Sequence, residues 1–395
     1  MKLLFYSHTF SPNIGGIETI TSSLARGLAT SNANAGTYKL QVTVVTDTPA
    51  GGSDDSKFPF PLVRQPRFFA LAKLIRSADV VHLAGPAMIP MFLAKIFGKP
   101  YVVEHHGYQA ICPNGVLLQL PAATVCPGHF QAGHYRQCIQ CESQETTGSR
   151  AVLKVLQNIP RQALSKRAAA NVAVSHYAAK RLALPRTVVI YHGLESEPHN
   201  APEPNAQSVP AKSAKIRFGY VGRFVPEKGI PVLLDAAHRL RTQRQDFEIV
   251  LVGDGPQRPQ IDQQIQSAHA GEYVRITGFL SGEKLAAEVN ALDVVVMPSI
   301  WEETAGLAAI EQMLRARLVI ASDIGGLGEM VGDAALKFPP GDAQSLADQM
   351  KKVLQDTSQI SKLGRIALQR SQSMFCEDRM IAEHEAAYAK LRSRP

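Results

Sequence analysis

Short runs of consecutive apolar residues alternate along the chain with longer segments of helical periodicity. The runs predicted as strands are 3–6, 42–46, 80–83, 101–104, 171–174 and 188–191, and then 216–221, 248–252, 274–277, 294–297 and 318–321. Strands that are apolar on both faces and separated by helices are typical of parallel sheets covered on both sides. The pattern therefore predicts an α/β fold with two doubly wound domains in tandem.

A proline-rich stretch at 195–213 separates the two sets of strands. Its Pro, Asn, Ser, Gln and Ala residues are typical of a linker. We therefore predict a first domain at 1–197, a linker at 198–213, a second domain at 214–376 and a terminal helix within 377–395. Because ligands of such sheets bind beyond the carboxyl ends of the strands, a cleft between two facing domains is the expected site.

The composition is that of a globular protein, since 45% of the 395 residues are hydrophobic and 7% are aromatic. No apolar run approaches the ~20 residues that a membrane-spanning helix needs. The first apolar run is also too short for a signal peptide. We therefore expect a cytoplasmic protein whose cysteines are reduced.

Positive charge is concentrated in the first half, where residues 1–200 contain 19 Lys and Arg against 10 Asp and Glu. Within it, residues 150–186 contain eight Lys and Arg, no acid, and interleaved leucines. Such a basic amphipathic stretch can lie on an anionic membrane, here the inner face of the cytoplasmic membrane. An ordinary solvated helix face is the alternative. Nucleic acid is not expected, because no nucleic-acid motif or aromatic interleaving accompanies the charge.

The segment 298–313 has the most specific pattern for chemistry. A small-residue turn at 304–306 joins an apolar strand to a predicted helix that begins at Leu307. The free N–H groups of such a helix start bind phosphate. Glu303 lies before the turn, and Glu311 is expected two helical turns inside. This arrangement suits a nucleotide-sugar, although an ordinary strand–turn–helix with two surface acids has the same pattern.

Other strand ends supply cations, glycines and a histidine. Arg223 and Lys228 follow the first strand of the second domain, where cations can stabilise a leaving diphosphate. We expect Gly15 and Gly16 to allow positive φ and close backbone approach before a helix near residue 17. His106 follows the fourth strand, where a histidine can orient a sugar hydroxyl. The alternatives are solvated surface charge for the two cations, a plain turn for the two glycines and a structural role for the histidine.

These segments resemble, in order, the motifs of family-4 retaining glycosyltransferases, which have the two-domain GT-B fold. Residues 298–313 resemble the family's Glu-x7-Glu signature, 219–229 its Gly-Arg-x5-Lys-Gly motif and 12–16 its Pro-x-x-Gly-Gly loop. Three more family turns have counterparts at 253–256, 278–280 and 322–329, the first and last being structural in our interpretation.

The family pattern of a His-Asp/Gly-Tyr motif followed by Cys-Pro aligns His106 with the family's sugar-facing histidine and leaves His105 as a structural neighbour. Two departures stand out. The gap between Arg223 and Lys228 is four residues rather than five, and Ala305 occupies a position that is often Phe.

The resemblance implies a retaining glycosyltransferase with two Rossmann-like domains facing a central cleft. It would move a sugar from a UDP- or GDP-sugar to a glycan, lipid-linked or small-molecule acceptor, without a catalytic metal. The first domain would lie on the acceptor side, and the terminal helix would cross back to it. The implied catalytic residues are His106, Arg223, Lys228 and Glu303. The implied donor-binding residues are Gly15, Gly16, Gly278, Phe279, Leu280, Thr304, Ala305, Gly306, Leu307 and Glu311.

Two other functions remain open for this pattern. A hydrolysing nucleotide-sugar epimerase of the same fold would act on the donor without an acceptor. A non-catalytic nucleotide-sugar binder would bind the donor without turnover.

Four of the five cysteines fall within an insertion at 108–145: Cys112, Cys126, Cys138 and Cys141. The two-residue gap between Cys138 and Cys141 suits adjacent ligands of one ion, and the other two cysteines can complete a tetrahedron. In a reduced cytoplasm we favour a structural zinc. An iron–sulfur cluster, disulfides and free thiols are alternatives, and His129 or His134 could replace one cysteine.

Overall fold

The computed structural model describes residues 1–13, 15–31, 39–52, 54–195 and 215–392. The chain forms two compact units. Unit 1 comprises Met1–Pro121, Cys126–Glu195 and Met374–Pro395, and unit 2 comprises Ala122–Val125 and Ser196–Ser373. The predicted linker at 198–213 lies outside the described residues.

The strands before the linker are β1 (Lys2–Ser7), β2 (Gln41–Thr46), β3 (Leu62–Arg64), β4 (Val80–Leu83), β5 (Tyr101–His105), β6 (Leu118–Gln119), β7 (Thr124–Val125), β8 (Ala170–Ala173) and β9 (Thr187–Val189). Seven of them form the sheet of unit 1 in the order β3-β2-β1-β4-β5-β8-β9, and all neighbours are parallel. The helices here are α1 (Gly16–Thr30), α2 (Phe68–Ser77), α3 (Met88–Ile96), α4 (Tyr135–Glu142), α5 (Gly148–Ser165) and α6 (His176–Leu182).

Unit 2 contains a parallel six-stranded sheet. Its strands are β10 (Ile216–Val221), β11 (Phe247–Val252), β12 (Val274–Gly278), β13 (Val294–Met297), β14 (Leu318–Ser322) and β15 (Leu336–Phe338), in the order β12-β11-β10-β13-β14-β15. Its helices are α7 (Ile230–Arg241), α8 (Arg258–Ser267), α9 (Gly282–Asn290), α10 (Leu307–Leu314), α11 (Gly325–Val331), α12 (Ala343–Gln355) and α13 (Ser358–Met374).

The last helix, α14 (Glu377–Arg392), belongs to unit 1 and packs against α1. The hydroxyl of Ser23 on α1 donates to Oε1 of Glu377 at 2.5 Å. None of the helices in the described ranges combines the length and the apolar character needed to cross a bilayer.

All eleven predicted strands are present, and their ends differ from the prediction by at most two residues. The predicted α/β fold with two doubly wound parallel sheets is therefore confirmed. The pattern missed β3, β6, β7 and β15, which are only two or three residues long. β3 is half-buried throughout, so it has no continuous apolar run to recognise.

Candidate functional site

In unit 2 the strand order reverses between β10 and β13. In open parallel sheets, ligands bind beyond the carboxyl ends of the strands at such a point. The loop after β10 carries Arg223 and Lys228, and the loop after β13 carries Glu303. The structure thus brings the predicted cations and the predicted acid to adjacent strand ends.

Glu303 is held by two side chains. Lys228 donates from Nζ to Oε1 of Glu303 at 2.8 Å, and the hydroxyl of Ser299 donates to the same oxygen. Glu303 is only 8% exposed, so this pairing supports a carboxylate that is largely removed from water. Arg223, in contrast, is exposed and makes no side-chain hydrogen bond or ion pair with any described residue.

Close backbone contacts fix the two loops. Gly229, which follows Lys228, has a φ of +67°, and a Cβ there would lie 2.0 Å from the carbonyl oxygen of Pro298. On the other side, the N–H of Gly326 donates to the carbonyl of Glu303 at 2.6 Å. A Cβ at Gly326 would lie 2.2 Å from the carbonyl oxygen of Thr304. The loop 322–329 therefore supports the backbone around Glu303.

The turn after Glu303 leads into α10, which begins at Leu307 as predicted. Thr304 and Ala305 are buried, and Gly306 is the N-cap residue. Glu311 lies little more than one turn inside α10, so the expectation of two turns was wrong, because the turn takes up the intervening residues.

The Glu311 carboxyl is half-buried. Burial raises its pKa, and the charge of Arg315 opposes the rise. Among the described residues, Glu311 has no side-chain hydrogen bond or ion pair. Its oxygens are therefore available to the hydroxyl groups of a ligand.

β12 ends at Gly278, the first residue of the predicted donor-binding segment 278–280. Gly278 has a φ of +76°, and Phe279 follows it with 70% of its surface exposed. Leu280 instead packs against the apolar core of unit 2. The ring of Phe279 thus offers an apolar surface just beyond the carboxyl end of a sheet strand.

In unit 1, the glycine loop after β1 differs from the prediction. Gly15 is the N-cap of α1 with a φ of −179°, and Gly16 is the first residue of the helix. Neither has a positive φ, so the expected left-handed backbone is wrong. The helix takes Gly16 into its first turn, and Gly15 needs only an extended conformation to enter it.

His106 lies against a second histidine that the sequence analysis missed. Its Nδ1 is 3.0 Å from Nε2 of His192, and the two rings stack with centroids 5.1 Å apart. The Nε2 atoms of both are 3.9 Å from Oε1 of Glu104 on β5. Burial lowers the pKa of His106 and lowers that of His192 to about 3.

Glu104 has two further histidines on its other oxygen. Nε2 of His82 on β4 lies 3.1 Å from Oε2, and Nε2 of His384 on α14 lies 3.5 Å from it. Burial alone would raise the pKa of Glu104, but the histidines hold it well below the usual range. Burial lowers the pKa of His82. His384 is 280 residues from Glu104, so no local pattern could have predicted this cluster.

His105 faces away from this group. Its Nε2 lies 2.9 Å from Oδ1 of Asn171, and burial lowers its pKa to about 4. It lies within the sheet and is held by a neighbouring strand.

The four predicted cysteine ligands line one small cavity in unit 1 together with His129. Burial raises the pKa of Cys112 to about 11 and that of Cys138 to about 12. Within the described residues, the two groups with three ligand atoms inside 4.8 Å of one another both contain Glu104, and neither contains a cysteine. His134 does not line the cavity.

Curated relatives match this chain over limited segments. The 2-deoxystreptamine glucosyltransferase of Streptomyces kanamyceticus is 37% identical over 145 residues, which are 36% of this chain and 37% of that protein. The alpha-D-kanosaminyltransferase of the same organism is 33% identical over 139 residues. The chain thus spans little more than a third of the length of these relatives.

Solved structures match over the whole chain. Anabaena Alr3699/HepE in complex with UDP and glucose has a TM-score of 0.71 at 19% identity and covers 99% of this chain and 100% of its own. Sucrose-phosphate synthase of Thermosynechococcus elongatus has a TM-score of 0.69 at 21% identity, with 99% of both chains covered. These likenesses establish the two-domain, Rossmann-like GT-B fold.

Two family models match consecutive parts of the chain. The model described as Glycosyltransferase Family 4 matches residues 14–197, and the model described as Glycosyl transferases group 1 matches residues 203–370. Together they cover most of the sequence, in the order in which the motifs occur. The chain therefore belongs to the group 1 glycosyltransferases, in the family of GT4 type.

Proposed function

We propose that this protein is a retaining glycosyltransferase that moves a sugar from a nucleoside-diphosphate donor, UDP- or GDP-linked, to a glycan, lipid-linked or small-molecule acceptor. The observation that carries the proposal is the group of Lys228, Ser299 and Glu303 at the strand-order reversal of unit 2. The start of α10 follows it directly and can receive phosphate oxygens on its free N–H groups.

The charges suit a reaction in which a diphosphate leaves. Lys228 and the exposed Arg223 would offset the negative charge that develops on it. Glu303 would lie near the transferred sugar, and Glu311 would accept hydrogen bonds from the ribose hydroxyls. The leaving phosphate itself would take the acceptor proton on the same face of the sugar, so the protein needs no separate base. His106 would contact the sugar or the acceptor.

Alr3699/HepE, which has the same fold, was solved with UDP and glucose, and this supports a nucleotide donor here. The test is a thermal-shift screen of UDP- and GDP-sugars, because a ligand at 100 times its Kd stabilises the protein by ~2.7 kcal/mol. The donor that binds is then incubated with candidate acceptors. Retained anomeric configuration in the product supports the proposal, whereas an epimerised sugar from donor alone, or binding without turnover, would contradict it.

A partly apolar, basic face of unit 1 supports the membrane contact. α2 packs against α3, and α3 packs against α5. These helices leave nine large apolar side chains exposed: Phe68, Phe69, Ile89, Phe92, Ile96, Val152, Leu153, Leu156 and Ile159. None of the three helices contains Asp or Glu, and each carries Lys or Arg. We propose that this lipid-facing surface binds an anionic bilayer, so that a cytoplasmic enzyme meets its acceptor at the membrane.

The cavity lined by the four cysteines supports a structural zinc. Thiolates of Cys112, Cys126, Cys138 and Cys141 would hold the ion. The insertion has several Gly and Pro residues and little helical or strand periodicity, so a metal would contribute directly to its folding.

A further inference from the structure

Glu104 carries a buried negative charge, and no Lys or Arg of the described chain pairs with it. Glu104 is 1% exposed, and every ion-pair partner it has in the described chain is a histidine. A buried carboxylate is stable only when it is paired with a positive group or coordinates a metal. The charge of Glu104 therefore calls for a protonated histidine or a bound metal ion beside its oxygens.

The tautomer of His384 limits which positive group can lie beside Glu104. Its Nδ1 lies 2.8 Å from the backbone carbonyl of Met380, and a carbonyl can only accept, so Nδ1 carries a proton. In a neutral imidazole Nε2 then bears a lone pair, and that lone pair faces Oε2 of Glu104 at 3.5 Å. Two lone pairs repel unless a proton or a metal ion lies between them.

We propose that His82, Glu104 and His384 bind a divalent transition metal ion, zinc above all. Tetrahedral zinc with N and O ligands at ~2.0–2.1 Å sets neighbouring ligand atoms about 3.3 Å apart. Oε2 of Glu104 lies 3.1 Å from Nε2 of His82 and 3.5 Å from Nε2 of His384, and all three atoms lie within 4.8 Å of one another.

The surroundings of these ligands match those of metal-bound histidines. Such histidines usually donate their other ring N–H to a carbonyl or another oxygen. His384 does so to Met380, and Nδ1 of His82 lies 2.9 Å from the hydroxyl of Tyr388. The second trio, Glu104 with His106 and His192, fits less well. Its 3.9 Å spacings exceed the tetrahedral edge, and its two histidines are already 3.0 Å from each other.

The ion would fasten the C-terminal helix to the sheet of unit 1. His384 lies on α14, whereas His82 and Glu104 lie on the neighbouring strands β4 and β5. The metal would also fix Glu104, whose other oxygen faces His106.

The test is the metal content of the full chain, purified without a metal-affinity tag. Wild type should hold one equivalent of zinc more than His384→Gln. Loss of this ligand should weaken binding by more than the ~10–100-fold that loss of an outer-shell partner costs. His238→Gln, at an exposed histidine of unit 2, is the matched control and should keep the full metal content.

X-ray absorption of the Cys138→Ser, Cys141→Ser protein, which lacks two ligands of the other proposed zinc site, tests the Glu104 site even if His384→Gln fails to fold. A zinc shell with N and O scatterers at ~2.0–2.1 Å supports the site. Equal metal content in wild type and His384→Gln, a shell of sulfur alone, or absence of zinc would overturn it, and His384 would then be an imidazolium paired with Glu104.

Discussion

Nζ of Lys228 lies 2.8 Å from Oε1 of Glu303, so an ion pair joins the loop after β10 to the loop after β13. The pair places a cation and an acid at the point where the strand order of unit 2 reverses. In the unliganded protein each charge offsets the other. A bound diphosphate would compete for Lys228, and Glu303 would then be free to act on the sugar.

The first prediction follows from this coupling. Lys228→Ala and Glu303→Gln should each lower kcat by ~10²–10³, because one removes charge stabilisation and the other the acid near the sugar. The double variant should lose much less than the product of the two effects, since residues that act as a unit are not additive. Steady-state kinetics measure the cycle. Lys337→Ala, which removes another paired lysine of unit 2, is the control and should retain activity. Multiplicative losses would show that the pair does not act together.

The second prediction concerns Glu311, whose pKa is raised by burial. A raised pKa in the folded state means that the stability this group contributes is present at low pH and is lost as pH rises through that pKa. Glu311→Gln should therefore raise Tm at neutral pH and leave it unchanged near about pH 4, where the unfolded carboxyl is also largely protonated. The same change should weaken donor binding, because ribose hydroxyls lose a charged acceptor.

Calorimetry at both pH values measures this effect. The control is Glu272→Gln, which neutralises an exposed acid of the same unit and should change Tm at neither pH. A lower Tm for Glu311→Gln at neutral pH would mean that the carboxylate has a stabilising partner.

Features that depend on neighbouring residues could be predicted from the sequence, whereas features that depend on residues far apart in the chain could not. The sequence predicts β13, α10 and the position of Glu303 because an apolar run of four residues, a small-residue turn and a helical pattern follow one another within one segment. Ser299 was within reach as well, since it lies four residues before Glu303. Glu104 was not singled out, because its partners His82, His192 and His384 come from β4, the segment after β9 and α14, and only tertiary packing brings them together. The prediction of positive φ at Gly15 and Gly16 failed for a different reason. A glycine can adopt positive φ, but its identity does not determine which φ it takes.

The third prediction concerns Phe279, which is 70% exposed at the end of β12. If a nucleobase stacks on the ring, Phe279→Ala should weaken nucleotide binding by about 2- to 12-fold, the equivalent of ~0.5–1.5 kcal/mol. Stability should hardly change, because the ring buries little surface in the free protein. Isothermal titration with UDP and GDP measures the affinity. Ile366→Ala, at an exposed residue of α13, is the control. Unchanged affinity for both nucleotides would remove Phe279 from the donor site.

The fourth prediction concerns the cysteine cavity. Cys138→Ser combined with Cys141→Ser should remove one equivalent of zinc and lower Tm, because two ligands of a tetrahedral site are lost. Cys376→Ser changes the cysteine outside the cavity and should alter neither quantity. Elemental analysis and thermal unfolding are the measurements. If zinc content stays the same in the double variant, the cysteines are not ligands.

The fifth prediction concerns the lipid-facing surface on α2, α3 and α5. The protein should sediment with vesicles that contain anionic lipid and should be released as salt rises from 0.1 to 1 M, over which the screening length falls from ~10 to ~3 Å. Phe69→Ser with Phe92→Ser should weaken binding at least about tenfold, because burying one Phe side chain contributes ~1.5–3 kcal/mol. Both rings are already exposed, so the change should not lower stability. Ile366→Ser, an exposed apolar residue on another helix, should leave vesicle binding unchanged. If vesicle binding does not depend on lipid charge, on salt or on the two phenylalanines, the surface does not bind an anionic bilayer.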